Sequence, residues 1–422
     1  MSFRPFLLTA LASTLLVSAN SALATNGYFS HGYGVKSQGM AGVGYALPQD
    51  ALAAASNPAG TARIGDRFDL GVTLFKPDRE AEIEGNNLGP GFTADGSYDA
   101  NDRDLFLIPE FGYSQALNER VSIGLAVYGN GGMNTDYQQN PFGAFGSQGR
   151  AGVDLAQLFI TPSVAFKLSE EHAFGIGINY AYQRFEAKGL GAFSGSSSSP
   201  DALTNNGHDT SDGWGLRLGW NGQLSDNLTL GVAWSSKIKT SKFKDYEGLF
   251  ADGGSFDIPE NYGIGLAWQA TPQLTLAFDV QEIRYGQIDS IANPLSNLFS
   301  GNPLGSENGP GFGWEDITVY KLGASYAVTP QLTLRGGYSH AEQAIPDDQT
   351  FFNILAPGVI EDHLSFGATL AVSDAGEISV AYTHAFSASV DGSQSIPQGF
   401  GGGEANLKMD QDILGIAYGW KF

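Results

Sequence analysis

Six histidines stand at positions 31, 172, 208, 340, 363 and 384 of this 422-residue chain. None falls in H-E-x-x-H and no serine falls in G-x-S-x-G, so the spacings that hydrolytic chemistry needs are missing. The acid-containing runs "GDRFD" and "PDDQ" read as turns or solvated faces. No catalytic residue, metal site or cofactor is expected. What remains is a set of cations in small-residue company: Arg217, Lys237, Lys321 and Arg335. Each falls, by strand parity, on a face of Gly, Ala, Ser and Thr. A cation so placed, beside apolar surroundings, would fix the orientation of a carboxylate. Lys321 and then Arg217 are favoured, because they lie away from the short turns. The alternative is that each pairs with an acid on the same face, such as Glu110 or Asp279, and is structural. Arg184 and Lys188 rank lower, since Arg184 has the opposite parity.

The elements that carry these residues follow from pattern. The chain opens "MSFRPFLLTALASTLLVSANSALA". Arg4, an apolar run from Phe6 to Val17 and the Ala22-x-Ala24 site predict a secretory signal over residues 1–24. No later stretch reaches the ~18 apolar residues of a membrane helix. The chain has no cysteine to staple a small fold and a net charge of −22, which argues against a nucleic-acid partner. Mean hydropathy is −0.12, a value shared by soluble proteins and by barrels whose strands alternate.

Six short turns recur, at 117–119, 169–172, 225–227, Pro272, Pro330 and 373–376. Between them lie seven long stretches rich in Gly, Ser, Asn, Asp and Pro, near 79–103, 130–154, 186–212, 240–258, 286–313, 341–361 and 387–407. Short turns alternating with long loops predict about fourteen strands and an all-β transmembrane antiparallel barrel. Parity agrees. Leu274, Leu276, Phe278 and Val280 share one face, as do Trp214, Leu216, Leu218 and Trp220. Large apolar residues with flanking Trp and Tyr suit lipid, and the small opposite face leaves a lumen to be filled. The chain ends "DILGIAYGWKF", alternating to a terminal Phe422. Thr25 and Phe422 are both expected at the short-turn, periplasmic end.

Residues 25–66 do not read as strands. They are Gly-rich, then Ala-rich, with short helices expected near 50–56, and the economical place for them is inside the barrel, 67–422, as a plug. Here the chain resembles the FadL/TodX family of outer-membrane transporters for fatty acids and other hydrophobic compounds. The resemblance rests on "SNPAG" in an N-terminal hatch, on "DIPENYGIGLAW" (257–268), "WEDITVYKLGASY" (314–326) and "LTLRGGYSH" (332–340), and on the terminal Phe. It implies that Asn57, Pro58 and Ala59 lie beside an inward kink of the third strand, where "GNGG", Gly129 with Gly131 and Gly132, breaks the alternation. Glycine inside a strand pattern suggests a bulge or bend; the alternative is a plain loop start.

The expected function is uptake of hydrophobic molecules, long-chain fatty acids first, across the outer membrane of a Gram-negative cell. The resemblance implies loop capture, an internal site and hatch-gated lateral release. Uptake of aromatic or alkane hydrocarbons is the alternative, and a surface adhesin or structural barrel the alternative from another class. The apolar loop runs "ANPLSNLFSGNPLG" and "TFFNILAPG" could serve capture or pack on themselves. Partners are then hydrophobic small molecules, outer-membrane lipid and lipopolysaccharide, and the assembly machinery, for a monomeric protein.

Overall fold

A computed structural model describes residues 26–422; the expected signal segment lies outside the described residues. Fifteen strands form one antiparallel sheet: β1 (Arg67–Glu84), β2 (Gly96–Asp99), β3 (Phe106–Ala116), β4 (Val121–Tyr137), β5 (Ala151–Lys167), β6 (His172–Lys188), β7 (Asp209–Ser225), β8 (Leu228–Ser235), β9 (Asn261–Gln269), β10 (Leu274–Ile283), β11 (Ile317–Ala327), β12 (Leu332–Ala341), β13 (Asp362–Ala371), β14 (Gly376–Val390) and β15 (Glu404–Lys421). β1 pairs with β15 from Arg67↔Lys421 to Glu84↔Glu404, which closes the sheet. Only β2 stands outside the ring, paired with the upper end of β1. The closed wall therefore has the fourteen strands that the turns implied. Several strands run farther into the long-loop end than the sequence suggested. β1 reaches Glu84, β4 reaches Tyr137 and β15 begins at Glu404.

The tight turns have a shared chemistry. The Thr271 hydroxyl accepts the Leu274 N–H at 3.0 Å, and Thr329 does the same for Leu332 at 3.0 Å. This is why Thr-Pro-Gln recurs at two of the six turns: the hydroxyl closes the turn that proline has pre-set. Outward positions carry exposed apolar side chains, among them Leu276's neighbours Phe278 and Leu266, and Leu414, Ile416 and Trp420 near the closure. In a membrane that row faces hydrocarbon, where every strand N–H and C=O must find its partner within the sheet.

Residues 26–66 fill the lumen. They hold three short helices, Val35–Gln38, Ala53–Ser56 and Thr61–Ile64, with a 3-10 turn at Pro58–Gly60. The inward small residues exist to admit this segment. A side chain at Gly231 would meet the Tyr45 carbonyl at 1.9 Å, and one at Gly219 would meet Asn57 Oδ1 at 2.0 Å.

Acids on the wall anchor the segment. Glu110 accepts the N–H groups of Gly34 and Val35 at 3.2 and 3.0 Å, and Asp279 those of Gly44 and Tyr45 at 2.7 and 3.1 Å. Lys36 and Arg67 both pair with Glu377. Charge-assisted bonds to backbone N–H groups are stronger than neutral ones, which holds an otherwise loop-like segment in one place.

Candidate functional site

The wall is interrupted beside β4. β3 pairs with β1 from Phe106 to Ser114, yet with β4 only from Phe111↔Val127 to Ala116↔Ser122. β4 continues past that point to Tyr137, paired on its other side with β5. At Gly129–Gly131 the β4–β5 register slips by one residue, so Asn130 is a bulge. A bulge bends its strand, and here it turns the upper half of β4 away from β3.

The edge that β4 frees is satisfied from inside. Ser30 N–H donates to the Asn130 carbonyl at 2.8 Å, and Gly132 N–H donates to the Tyr28 carbonyl at 3.0 Å. Phe29 and Gly131 form an antiparallel bridge. Farther along, Arg79 Nη1 donates to the Asn134 carbonyl. Asp136 N–H donates to Ala100 O at 3.0 Å, and Asp102 N–H to Asp136 O at 3.3 Å. Residues 26–30 thus stand in for the missing strand.

That segment is held by aromatic contacts. Tyr285 Oη donates to Asn26 O at 2.5 Å. The Tyr28 ring lies 5.2 Å from Tyr285 and 6.0 Å from both Phe256 and Trp314. Above it the long loops line a partly open apolar pocket with about 500 Å³ of empty space, open solvent included, bounded by Phe185, Phe193, Phe250, Leu304, Phe312 and Phe352 among others. Ser290 is the one side chain in that lining that carries a polar group. Phe250 and Phe256 pack with tilted rings 4.9 Å apart, linking the cavity wall to Tyr28.

Below lies a polar cavity with about 330 Å³ of empty space, bounded by Ser30, Tyr33, Tyr45, Arg217, Asp279 and Lys321 among others. Arg217 and Lys321 are both buried. Lys321 Nζ donates to the His31 and Gly42 carbonyls at 3.3 and 3.5 Å. Arg217 Nη1 donates to the Ala55 and Ser56 carbonyls, while its Nε is buried without a partner. The His31 and His363 rings lie 4.5 Å apart, tilted to one another; burial, His363 and Lys321 push the His31 pKa far below the usual imidazole range.

The site so described is a conduit, and comparison gives its kind. The profile of the family described as outer membrane protein transport protein (OMPP1/FadL/TodX) matches residues 15–422. The chain belongs to that family. It is an outer-membrane transporter of hydrophobic compounds, a transport channel and not an enzyme. It is 24% identical over 438 residues to the long-chain fatty acid transport protein of Escherichia coli (strain K12), covering 90% of this chain and 91% of that one. Its fold is similar to a Pseudomonas aeruginosa FadL homologue, with TM-score 0.72, 17% identity and 94% and 100% of the two chains covered. It is also similar to the P. putida toluene transporter TodX, with TM-score 0.67, 18% identity and 93% and 99% covered.

Within this FadL-family barrel the expected site residues separate. Lys321 and Arg217 meet at one cavity. Arg335 does not join them: it donates to Gln49 Oε1 at 2.8 Å and Thr369 Oγ1 at 2.7 Å, bracing the hatch segment. Lys237 lies beyond the end of β8 at Ser235, so strand parity does not govern it. It is half-exposed and faces Gln287 O at 2.9 Å and Asp257 at 3.5 Å.

One placement is corrected. Asn57, Pro58 and Ala59 do not sit beside the kink of β4. Asn57 Nδ2 donates to Tyr45 O at 2.7 Å and Trp220 O at 2.9 Å, and Pro58–Ala59 lie against Gly175 of β6. The motif fits there because Gly175 and Gly219 leave room for a proline ring and an amide. The expected position of Thr25 lies outside the described residues; Asn26 lies deep in the lumen by Tyr285, and Phe422 N–H donates to Asp66 O where β1 begins. Gly129, Gly131 and Gly132 do mark the bend, but β4 runs on through them as strand. Arg79 and Tyr28–Ser30 escaped the sequence reading. Arg79 falls at the edge of the predicted 79–103 loop, although its parity continues the inward row of β1.

Proposed function

We propose that this transporter takes up long-chain fatty acids. The apolar loop cavity captures the molecule, the Arg217–Lys321 cavity binds its head, and the wall beside β4 releases it when residues 26–30 withdraw. One observation carries the reading: two buried cations converge on one cavity and spend their bonds on hatch carbonyls. A carboxylate is a stronger acceptor for both than an amide carbonyl. Its arrival therefore competes with the bonds that hold the segment, and binding becomes coupled to loosening. Arg217 Nε is a ready donor for it. The Escherichia coli relative's name, a long-chain fatty acid transport protein, agrees.

A second reading, uptake of neutral hydrocarbons, is favoured by the almost wholly apolar lining of the upper cavity and by the toluene transporter among the similar folds. Binding of oleic acid and of methyl oleate to the purified protein separates the two. Lys321→Ala should weaken oleate binding about ten-fold, the worth of one charge-assisted hydrogen bond, and leave the ester within two-fold. Equal weakening of both would favour the hydrocarbon reading.

A further inference from the structure

Arg79 is a buried guanidinium with no carboxylate partner. Its acceptors are all neutral: Asn101 Oδ1 at 3.4 Å from Nε, the carbonyl of Asn134 and its Oδ1 at 3.2 Å from Nη1, and Arg103 O at 2.8 Å from Nη2. Asp78, Asp99 and Asp104 are near it but form no ion pair with it. An unpaired buried charge is costly, and evolution has many ways to supply an acid or remove the cation. Here it lies at one place in the wall. It projects from β1 above the last β1–β3 pair, Phe75↔Phe106, and reaches across to the freed edge of β4. On its inner side it borders a small, mostly apolar cavity, about 240 Å³ of empty space, lined also by Met133, Asn134, Trp314, Pro357 and Met409 among others. A cation thus faces an apolar pocket while holding shut the strand edge beside it.

We propose that Arg79 is the exit-side reader of an anionic head group. It rests on the lateral release put forward above, and adds a specificity residue at the opening that is separate from Arg217 and Lys321. A carboxylate entering the gap takes the guanidinium from the Asn134 carbonyl, because the ionised acceptor makes the stronger, bidentate pair. The edge of β4 loses that bond only when an anion is present. An ester or an alkane offers no such exchange and must pass with the latch still made.

The test is uptake of oleate and of methyl oleate by cells in which this protein is the sole outer-membrane route. In Arg79→Gln, oleate uptake should fall about ten-fold relative to the ester, with binding of oleate to the purified variant unchanged. Arg79→Lys keeps the charge without the fork and should fall between. If the ratio of oleate to ester uptake stays at the parent value in Arg79→Gln, Arg79 is a structural brace and the proposal is wrong. Should Arg79→Gln fail to assemble as heat-modifiable barrel, an unchanged ratio in Arg79→Lys overturns the proposal equally. Oleate uptake that persists at the parent rate when Ser30 and Asn130 are replaced by cysteine and joined by a disulfide overturns lateral release itself, and the proposal with it.

Discussion

Tyr28 lends its backbone carbonyl to Gly132, 3.0 Å away, and so completes the wall of a barrel from the inside. The next residue of β4 toward the bulge, Gly131, packs so closely that any side chain there would meet the Tyr28 oxygen at 2.0 Å. These contacts make the N-terminal segment a substitute for a missing neighbour strand, and they fix the sign of the experiments that follow.

Gly131→Ala should unseat residues 26–30 and leave the gap open. The expected outcome is a folded barrel with raised entry of hydrophobic dyes and raised exposure of Tyr28 to protease. Dye entry at the parent rate with an intact Tyr28 region would show that the wall does not open here.

Ser30→Cys with Asn130→Cys should lock the segment. The two residues flank the Phe29↔Gly131 bridge, and antiparallel neighbours lie at about 4.5–5.5 Å between Cα atoms, within disulfide range. The chain has no other cysteine, so the cross-link is unambiguous. Uptake should fall to background when oxidised and recover on reduction, read as transport of labelled oleate.

Seating of the hatch segment should depend on pH through Asp50. Burial first, and then Asp69, push its carboxyl up to about 6, against the opposing pull of Lys36 and Arg67. Glu110 on β3 and Arg335 on β12 face the same group, and Lys36 beside it is itself paired with Glu377 on β14. The seated form holds the proton more tightly than the water-exposed form, whose value is about 3.9. Seating is therefore unpenalised below about pH 4 and weakens as pH rises through about 6. Hydrogen exchange at residues 34–52 should quicken between these limits, and Asp50→Asn should flatten the profile.

Lys321→Ala and Arg217→Gln should each lower oleate affinity, and the double variant should lose less than the sum. On the proposed reading both cations serve one head group, and residues sharing a partner are not additive. Isothermal titration with oleate and methyl oleate measures it; strict additivity would place the two cations in separate sites.

The wall was open to reading because lipid imposes a strict rule. Strands such as Leu274–Val280 must alternate, and Thr271 and Thr329 must close their turns. Position 67 as the first strand and Lys321 with Arg217 on the inner face follow from that rule alone. The gate was hidden for the opposite reason. Ser30–Asn130 and Gly132–Tyr28 are backbone bonds between segments a hundred residues apart, and a backbone bond leaves no residue type to recognise. "GNGG" announced a bend without naming what fills it. "SNPAG" looked like the filler, yet its partners are the glycines of β6 and β7. Arg79 was lost with the loop boundary, where a charge after proline and aspartate resembles solvated surface.

The closure of β1 on β15 around an occupied lumen also constrains how the molecule is made. β1 begins at Arg67, with only Gly65 and Asp66 between it and the helix that ends at Ile64, so the hatch segment has almost no slack with which to enter later. The seam from Arg67↔Lys421 to Glu84↔Glu404 can zip only around a segment already within. In biogenesis residues 26–66 then act as a mandrel. The last strand to be synthesised completes the barrel by finding the first one beside its cargo-bearing core, and a chain that pairs its ends too early would trap its own hatch outside.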